Sequence, residues 1–293
     1  MRKISTIIGI LTLALAACTE RIDIELDSSD SRLIVYGNIT TDTMSHTVRL
    51  IKSVPFYSPT PPPPVSNATV YIMEGNTRYD LTEDANNPGY YYTTPDVFGK
   101  SGTTYTLHIE DVNIGGVTSF QAQTQMPTLL EGYQTNYLDS INVSYNRNWD
   151  GWVVNGYAKE PQNMRNYYMF RVKINDILYS DSLSNLILVD DKFFNGNNTE
   201  GAAFYFISEK DTLKIGDKVT LELCAITQDY YQYLNEALKA SSPQFPLFSP
   251  PPANPITNLN NGAMGYFSAY AIIRASYTMK EEDFEGQKMK IYR

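Results

Sequence analysis

The sequence has very little cysteine and histidine, which limits the chemistry that it can support. Only two cysteines and two histidines occur among the 293 residues. A disulfide framework needs paired cysteines, and most zinc sites and Ser-His-Asp or Cys-His triads need histidine. Neither His46 nor His108 has a second ligand at metal spacing in the sequence. We therefore expect both to be ordinary surface histidines.

Common catalytic motifs are also missing from the sequence. There is no H-E-x-x-H, no G-x-S-x-G, no glycine-rich phosphate loop and no cysteine pair. We therefore predict no catalytic residues and no cofactor, and we expect that the protein is not an enzyme. The alternative is a pair of carboxylates for glycoside hydrolysis, because such partners need not be close in sequence.

The sequence also has fewer positively charged than negatively charged side chains. Lys and Arg total 23 against 32 Asp and Glu, which gives a formal net charge of -9. An acidic chain is repelled by phosphate backbones and by anionic lipid, so nucleic acid is not an expected partner. What the chain does have is aromatic side chains, including 23 tyrosines. This composition is typical of an exported, wet and aromatic surface.

The N-terminus predicts an exported protein with a lipid anchor. Arg2 and Lys3 precede an uncharged run over residues 4–17, which is too short for a transmembrane helix. Residues 15–18, LAAC, resemble the lipobox of bacterial lipoproteins, in which the leader is cut before a cysteine that is then acylated. We predict a leader over residues 1–17, lipid attachment at Cys18 and an acidic tether over residues 18–31. The alternative is a plain secretory leader with an incidental cysteine.

Short alternating segments then predict two mainly β domains. Between Thr104 and Glu110, one face carries Tyr105, Leu107 and Ile109, while polar side chains occupy the other face. About seven such segments before residue 127 predict an Ig-like or transthyretin-like β-sandwich over residues 32–127. Residues 128–293 predict a second, larger β-rich domain.

One helix interrupts the strands of the second half. Thr227 is a suitable N-cap, and Asp229 follows in the first turn. Tyr230, Leu234 and Leu238 then recur at helical spacing. The sequence therefore predicts one packed helix near residues 228–240, ended by the Ser-Ser-Pro at residues 241–243.

Residues 190–200, DDKFFNGNNTE, contain the sequence's weak candidates for metal binding. Oxygen ligands on a glycine-containing loop suit calcium, and the candidates are Asp190, Asp191 and Asn195. Counted from Asp191, the EF-hand pattern fails at positions three and twelve, which are Phe193 and Ala202. The favoured interpretation is therefore a turn with Asn-Gly geometry and no bound metal.

Aromatic side chains on loops supply the candidate surface for a partner or ligand. Trp149 and Trp152 flank a predicted turn, and they either stack on sugars or cover an edge of the sandwich. Two proline-rich segments, residues 57–67 and 243–255, favour stiff polyproline II structure. The second segment carries Phe245 and Phe248. These segments are either rigid loops or preordered docking surfaces that lose little entropy on binding.

Taken in order, several segments resemble the DUF4249 domain-containing lipoproteins of Bacteroidota, a family without an established activity. They are RLIVYGNIT, PPPPVSNATVYI, DDKFFNG, GDKVTLELCAITQDYYQYLN and SPPPANPITNLNNGAMGYFSAY. The resemblance covers nearly the whole mature chain. It implies an outer-membrane lipoprotein, often encoded beside a TonB-dependent receptor, and it implies no catalytic residues.

These observations lead to two hypotheses of function. The first is a lipid-anchored accessory protein of the outer membrane that partners a TonB-dependent transporter in nutrient capture. Its anchor places it at the cell surface or on the periplasmic face. The second is a glycan-binding adhesin or glycan-active enzyme that acts alone at the surface. The sequence names no ligand for either.

Overall fold

The protein is mainly β, as predicted. The computed structural model describes residues 31–55, 58–128, 138–162, 164–192, 194–208, 213–241 and 253–285. These residues form fifteen strands, one α-helix and two short 3-10 helices. The predicted leader and nearly all of the predicted tether lie outside the described residues.

The first seven strands form the predicted sandwich. They are β1 (Leu33–Thr40), β2 (Thr47–Lys52), β3 (Thr69–Glu74), β4 (Thr77–Glu83), β5 (Tyr90–Tyr92), β6 (Thr104–Glu110) and β7 (Phe120–Gln125). They pair antiparallel in the order β1-β2-β5-β4-β3-β6-β7. The alternation in β6 is confirmed, because Tyr105, Leu107 and Ile109 are all fully buried. Period-two patterning therefore places the core correctly in this part of the chain.

The second half supplies eight strands and the helix. They are β8 (Leu138–Asn146), β9 (Gly151–Lys159), β10 (Tyr167–Ile174), β11 (Ile177–Leu178), β12 (Ile187–Asp190), β13 (Asn198–Ser208), β14 (Lys218–Ile226), α1 (Gln228–Ser241) and β15 (Met264–Thr278). The 3-10 helices are Leu183–Asn185 and Glu281–Phe284.

Strand β15 connects the two halves. It pairs parallel with β1 and antiparallel with β14, so one sheet of 12 strands runs through both halves. Beyond β1 this sheet continues as β15-β14-β10-β11, with β12 also beside β10. A separate sheet of three strands has the order β13-β9-β8. The division into domains at residue 127 stays a prediction.

Each half nevertheless has its own hydrophobic core. The first lies inside the sandwich and includes Leu33, Leu107 and Phe267, the last contributed by β15. The second includes Trp152 on β9, Phe170 on β10 and Leu221 on β14. Because those residues come from both sheets, the sheet of three strands packs on β10 and β14.

Helix α1 packs on the other face of β10 and β15. Thr227 caps it as predicted, because its Oγ1 accepts a hydrogen bond from the Tyr230 N–H at 3.2 Å. Leu234 is buried in a third hydrophobic cluster. The Tyr230 ring lies with its centroid 5.1 Å from that of Tyr266. The sheet around β10, β14 and β15 therefore has the sheet of three strands on one face and α1 over part of the other.

Candidate functional site

The two tryptophans occupy opposite environments. Trp149 is 67% exposed, and its ring meets Phe206 edge-on with the centroids 5.1 Å apart. Trp152 is only 1% exposed and packs between Tyr145 and Phe284. The prediction of a ligand surface at Trp152 is therefore wrong, because its side chain belongs to the second core. Trp149 retains the exposure that such a surface needs.

Several other predicted site residues cannot be placed. Cys18, Phe245 and Phe248 lie outside the described residues. Part of the first proline-rich segment is described, and it runs along β2. There Pro63 accepts a hydrogen bond from the Lys52 N–H at 2.8 Å, and Pro64 bridges to Ile51.

The weak metal candidates form a hydrogen-bonded turn. Asn195 donates from Nδ2 to the Asp191 carboxylate at 3.0 Å, and Asn166 donates its N–H to the same oxygen at 2.9 Å. Arg165 pairs with both Asp190 and Asp191, at 3.4 and 3.3 Å. An amide donor and a guanidinium thus occupy positions where calcium would need oxygen ligands. In the part of the chain that the structure describes, no group of three or more His, Cys, Asp or Glu side chains is placed to hold a metal.

The histidines differ from their predicted surface placement. His46 is only 1% exposed. Its ring Nε2 lies 3.2 Å from the Val97 carbonyl oxygen, and its backbone N–H donates a hydrogen bond to Thr93 Oγ1. Burial lowers the pKa of His46, although hydrogen bonds to backbone oxygens oppose that effect. His108 is half-buried and stacks on Tyr71, with the ring centroids 4.6 Å apart. The expectation of an exposed side chain is therefore wrong for His46, which fixes the loop between β1 and β2.

A polar row lies on β8 and β9, in the same sheet of three strands as Phe206. Asn155 donates from Nδ2 to Asn142 Oδ1 at 2.9 Å, and Asn142 donates to the Tyr157 hydroxyl at 3.3 Å. Tyr157 is itself 37% exposed, and Phe206 is 45% exposed. Aromatic rings beside amides and hydroxyls are suited to stacking on, and hydrogen bonding with, a neutral polar ligand.

The most strongly charged interior site is centred on Glu222 of β14. Glu222 is fully buried, and its carboxylate contacts Arg171 at 2.6 Å, Arg274 at 2.8 Å and Lys173 at 2.9 Å. Burial opposes ionisation, but the three cations outweigh it and hold the pKa of Glu222 below its ordinary value. Breaking a buried pair of this kind typically costs about 3–5 kcal/mol.

The loop after β1 completes this ion cluster. Arg274 of β15 bonds both carboxylate oxygens of Asp42, at 2.7 and 2.5 Å. Those hydrogen bonds lower the pKa of Asp42. We call Asp42, Arg171, Lys173, Glu222 and Arg274 the ion cluster. It contains three cations and two carboxylates, and it therefore carries one excess positive charge.

A cavity of about 280 Å³ opens beside the ion cluster. Its lining residues include Arg171, Lys173 and Asp42, together with three that carry hydroxyls, Thr40, Ser45 and Thr47. Cys224 lies nearby and is fully buried, and burial raises the pKa of its thiol to about 12. Cys224 is therefore an inert core residue and not a nucleophile.

A second buried carboxylate lies at the end of β9. Glu160 is 8% exposed and accepts hydrogen bonds from the Tyr168 hydroxyl at 2.8 Å and from Asn166 Nδ2 at 2.8 Å. Burial raises the pKa of Glu160 to about 7, the hydrogen bonds oppose this, and the charge of Asp191 adds to it. Glu160 is therefore the described carboxylate best suited to titrate near neutral pH.

Neither the ion cluster nor Glu160 was predicted from the sequence. Glu222 carried a usable signal, because it interrupts the apolar strand KVTLELCAI, and a buried glutamate requires cationic partners. Its partners Arg171 and Arg274 lie on other strands, at positions that only the sheet register reveals. No helix in the described part of the chain is long and apolar enough to cross a membrane.

Comparison with known proteins gives a family and no activity. The chain matches none of the curated proteins with which it was compared. The family model described as "Domain of unknown function (DUF4249)" matches residues 19–275, which is most of the chain and includes every residue of the ion cluster. The match confirms the resemblance read from the sequence, and the chain belongs to the DUF4249 family.

Proposed function

We propose that this protein is a lipid-anchored binding protein of the outer membrane that partners a TonB-dependent transporter in nutrient capture. The observation that carries the proposal is the N-terminal pattern: Arg2 and Lys3, an apolar run and then LAAC ending at Cys18. Acyl chains on Cys18 hold a folded domain on a bilayer, because each buried methylene contributes about 0.8 kcal/mol.

The described surface is consistent with a binding role. Trp149, in the turn between β8 and β9, and Phe206 of β13 expose aromatic rings, and charged and hydroxyl-bearing residues line the cavity beside the ion cluster. Side chains that neighbouring contacts already hold in place, as Phe206 holds Trp149, lose little entropy when a ligand or partner binds. Both features support recognition of another molecule.

Cell fractionation with metabolic labelling by a palmitate analogue tests the anchor. The Cys18→Ser variant is expected to lose the label and to leave the membrane fraction. Cys224→Ser is the matched control, because it makes the same substitution at a buried thiol and leaves Cys18 unchanged. If Cys18→Ser keeps the label and sediments with the envelope as the parent does, the proposed anchor is wrong.

Affinity purification from solubilised outer membranes tests the partner. The tagged protein is expected to co-purify with a β-barrel receptor of the TonB-dependent class, identified by mass spectrometry. An unrelated tagged lipoprotein of the same membrane is the control for carry-over. Equal recovery of receptors with both baits, or no receptor at all, would contradict the proposed partnership while leaving the anchor intact.

A second candidate function is glycan binding at the sheet of three strands. Two observations favour it: the exposed Trp149–Phe206 pair, and the Asn142–Asn155–Tyr157 row on the same sheet as Phe206. Sugar C–H groups pack on aromatic faces, and amides and hydroxyls bond the sugar hydroxyls. Here the protein acts alone as an adhesin.

Polysaccharide binding assays test this second function. Trp149→Ala is expected to abolish retention on the bound glycan, whereas Ile177→Ala removes another exposed apolar side chain and leaves retention unchanged. Absence of binding to any polysaccharide in the panel, or equal retention of the two variants, would exclude glycan binding at Trp149.

A further inference from the structure

One face of the sheet around β10, β14 and β15 is closed at one end and open at the other. Helix α1 covers the closed end, where Tyr230 stacks on Tyr270 with the centroids 6.4 Å apart. At the open end, the loop after β1 stands over the ion cluster and leaves the cavity of about 280 Å³. That volume is equivalent to about nine water molecules, so a small organic ion fits.

The cations at this cavity differ in how many of their N–H donors are already bonded to carboxylates. Arg274 is engaged on both sides, because it contacts Asp42 and Glu222 together. Lys173 has three N–H donors, and its only ion-pair partner among the described residues is Glu222. The side chains of Lys173 and Arg171 are 29% and 18% exposed, so solvent reaches both. Spare donor capacity is therefore concentrated at Lys173 and Arg171.

The charges around the cavity favour an anion over a cation. The two carboxylates of the cluster are already neutralised by three cations, and one positive charge is left over. This excess is local, because the chain as a whole carries a formal charge of -9. A partly desolvated positive site beside hydroxyl donors binds oxyanions through charge-assisted hydrogen bonds.

We propose that the cavity beside the ion cluster binds a small oxyanion, a carboxylate or phosphate group, at Lys173 and Arg171. The hydroxyls of Thr40, Ser45 and Thr47 supply further donors around it. Glu222 then has a positional role. It pairs with both cations, which lie two residues apart on β10 and therefore on the same face of the sheet. The site requires neither the lipid anchor nor a transporter, so it goes beyond the proposed function.

Calorimetric titration of the purified full-length protein with inorganic phosphate and, separately, with succinate tests the site at constant ionic strength. At least one of the two probes is expected to bind saturably, and their relative affinities distinguish phosphate from carboxylate ligands. Lys173→Gln is expected to weaken binding about tenfold or more through the loss of a charge-assisted bond. This variant keeps Arg171 and Arg274 on Glu222, so the carboxylate stays paired.

Lys218→Gln is the matched control for net charge. Lys218 lies at the start of β14 and pairs with the exposed Asp176, away from the cavity lining. The Lys218→Gln variant is expected to bind phosphate or succinate with the affinity of the parent. Asn38→Asp is a second test that leaves every cation in place: it adds a negative charge to the cavity lining and should also weaken binding about tenfold or more.

Two outcomes would overturn the inference. The first is the absence of saturable binding of either probe to the folded parent, which would leave the ion cluster with a structural role only. The second is equal weakening by Lys173→Gln and Lys218→Gln, which would indicate a general charge effect. Circular dichroism melting of each variant confirms that it is folded when it is titrated.

Discussion

The side chain of Asn258 bonds the backbone of Phe267 in both directions. Its Oδ1 accepts from the Phe267 N–H at 3.1 Å, and its Nδ2 donates to the Phe267 carbonyl at 2.7 Å. Nδ2 also donates to the Gln123 carbonyl at 3.0 Å, which joins β7 to β15. One side-chain amide therefore supplies hydrogen-bond partners to backbone groups of two strands that do not pair directly with each other.

Replacing Asn258 with Ala should destabilise the protein by about 2–3 kcal/mol, because backbone groups of two strands lose their partner. Urea denaturation followed by circular dichroism measures the change. Asn86→Ala is the control, since Asn86 is exposed in a turn, and it should stay within about 0.5 kcal/mol of the parent. Similar losses in the two variants would show that Asn258 does not connect the strands.

Several elements in both halves of the chain follow from local sequence pattern. Alternation identifies the buried side of β6, and Thr227 marks the start of α1, because each signal depends on neighbours within a few residues. The same holds for Leu234, which lies on the buried stripe of α1.

The parallel pairing of β1 with β15 could not be predicted in this way. Ile34 and Met264 are partners although 230 positions separate them, and β15 is buried on both faces from Tyr266 to Ala271. A strand buried on both faces shows no alternation that would indicate its neighbours. The ion cluster depends on the same long-range register, which is why its members were not recognised together.

Gly265 is required by this parallel pairing. It has φ +86°, and a Cβ at this position would collide with the Val35 carbonyl of β1. Gly265→Ala should therefore cost about 2–4 kcal/mol in thermal or urea denaturation. Gly75→Ala separates the cost of the positive φ from the cost of the collision, because Gly75 has φ +55° but no atom within 4 Å of the added Cβ. It should cost about 1 kcal/mol, and equal costs would argue against the collision.

The two tryptophans should respond differently to removal. Trp152→Ala empties a large buried site and is expected to cost about 3–5 kcal/mol of unfolding free energy. Trp149→Ala removes an exposed ring and should cost less than about 1 kcal/mol. Acrylamide quenching gives an independent check in the two Trp→Phe variants, each of which retains one tryptophan. The variant that keeps Trp149 should be quenched strongly, and comparable quenching of Trp152 would contradict its burial.

Glu160 should make stability depend on pH near neutrality. Its pKa in the folded protein is about 7, raised from an ordinary 4.5, so the folded state binds a proton more tightly than the unfolded chain. The contribution of Glu160 to the free energy of unfolding is therefore fully present below about pH 4.5 and is lost as the pH rises through about 7.

Glu160→Gln should remove this dependence, because the amide stays neutral and still accepts a hydrogen bond from Tyr168 at its oxygen. Across that interval the parent should lose about 1–2 kcal/mol more than the variant, after allowance for solvent screening. The measurement is urea denaturation of both proteins at a series of pH values. Burial lowers the pKa of His46, which gives a pH dependence of the opposite sign, but His46 is common to both proteins and its effect cancels in their difference. Parallel pH profiles for parent and variant would show that Glu160 is already ionised below neutrality.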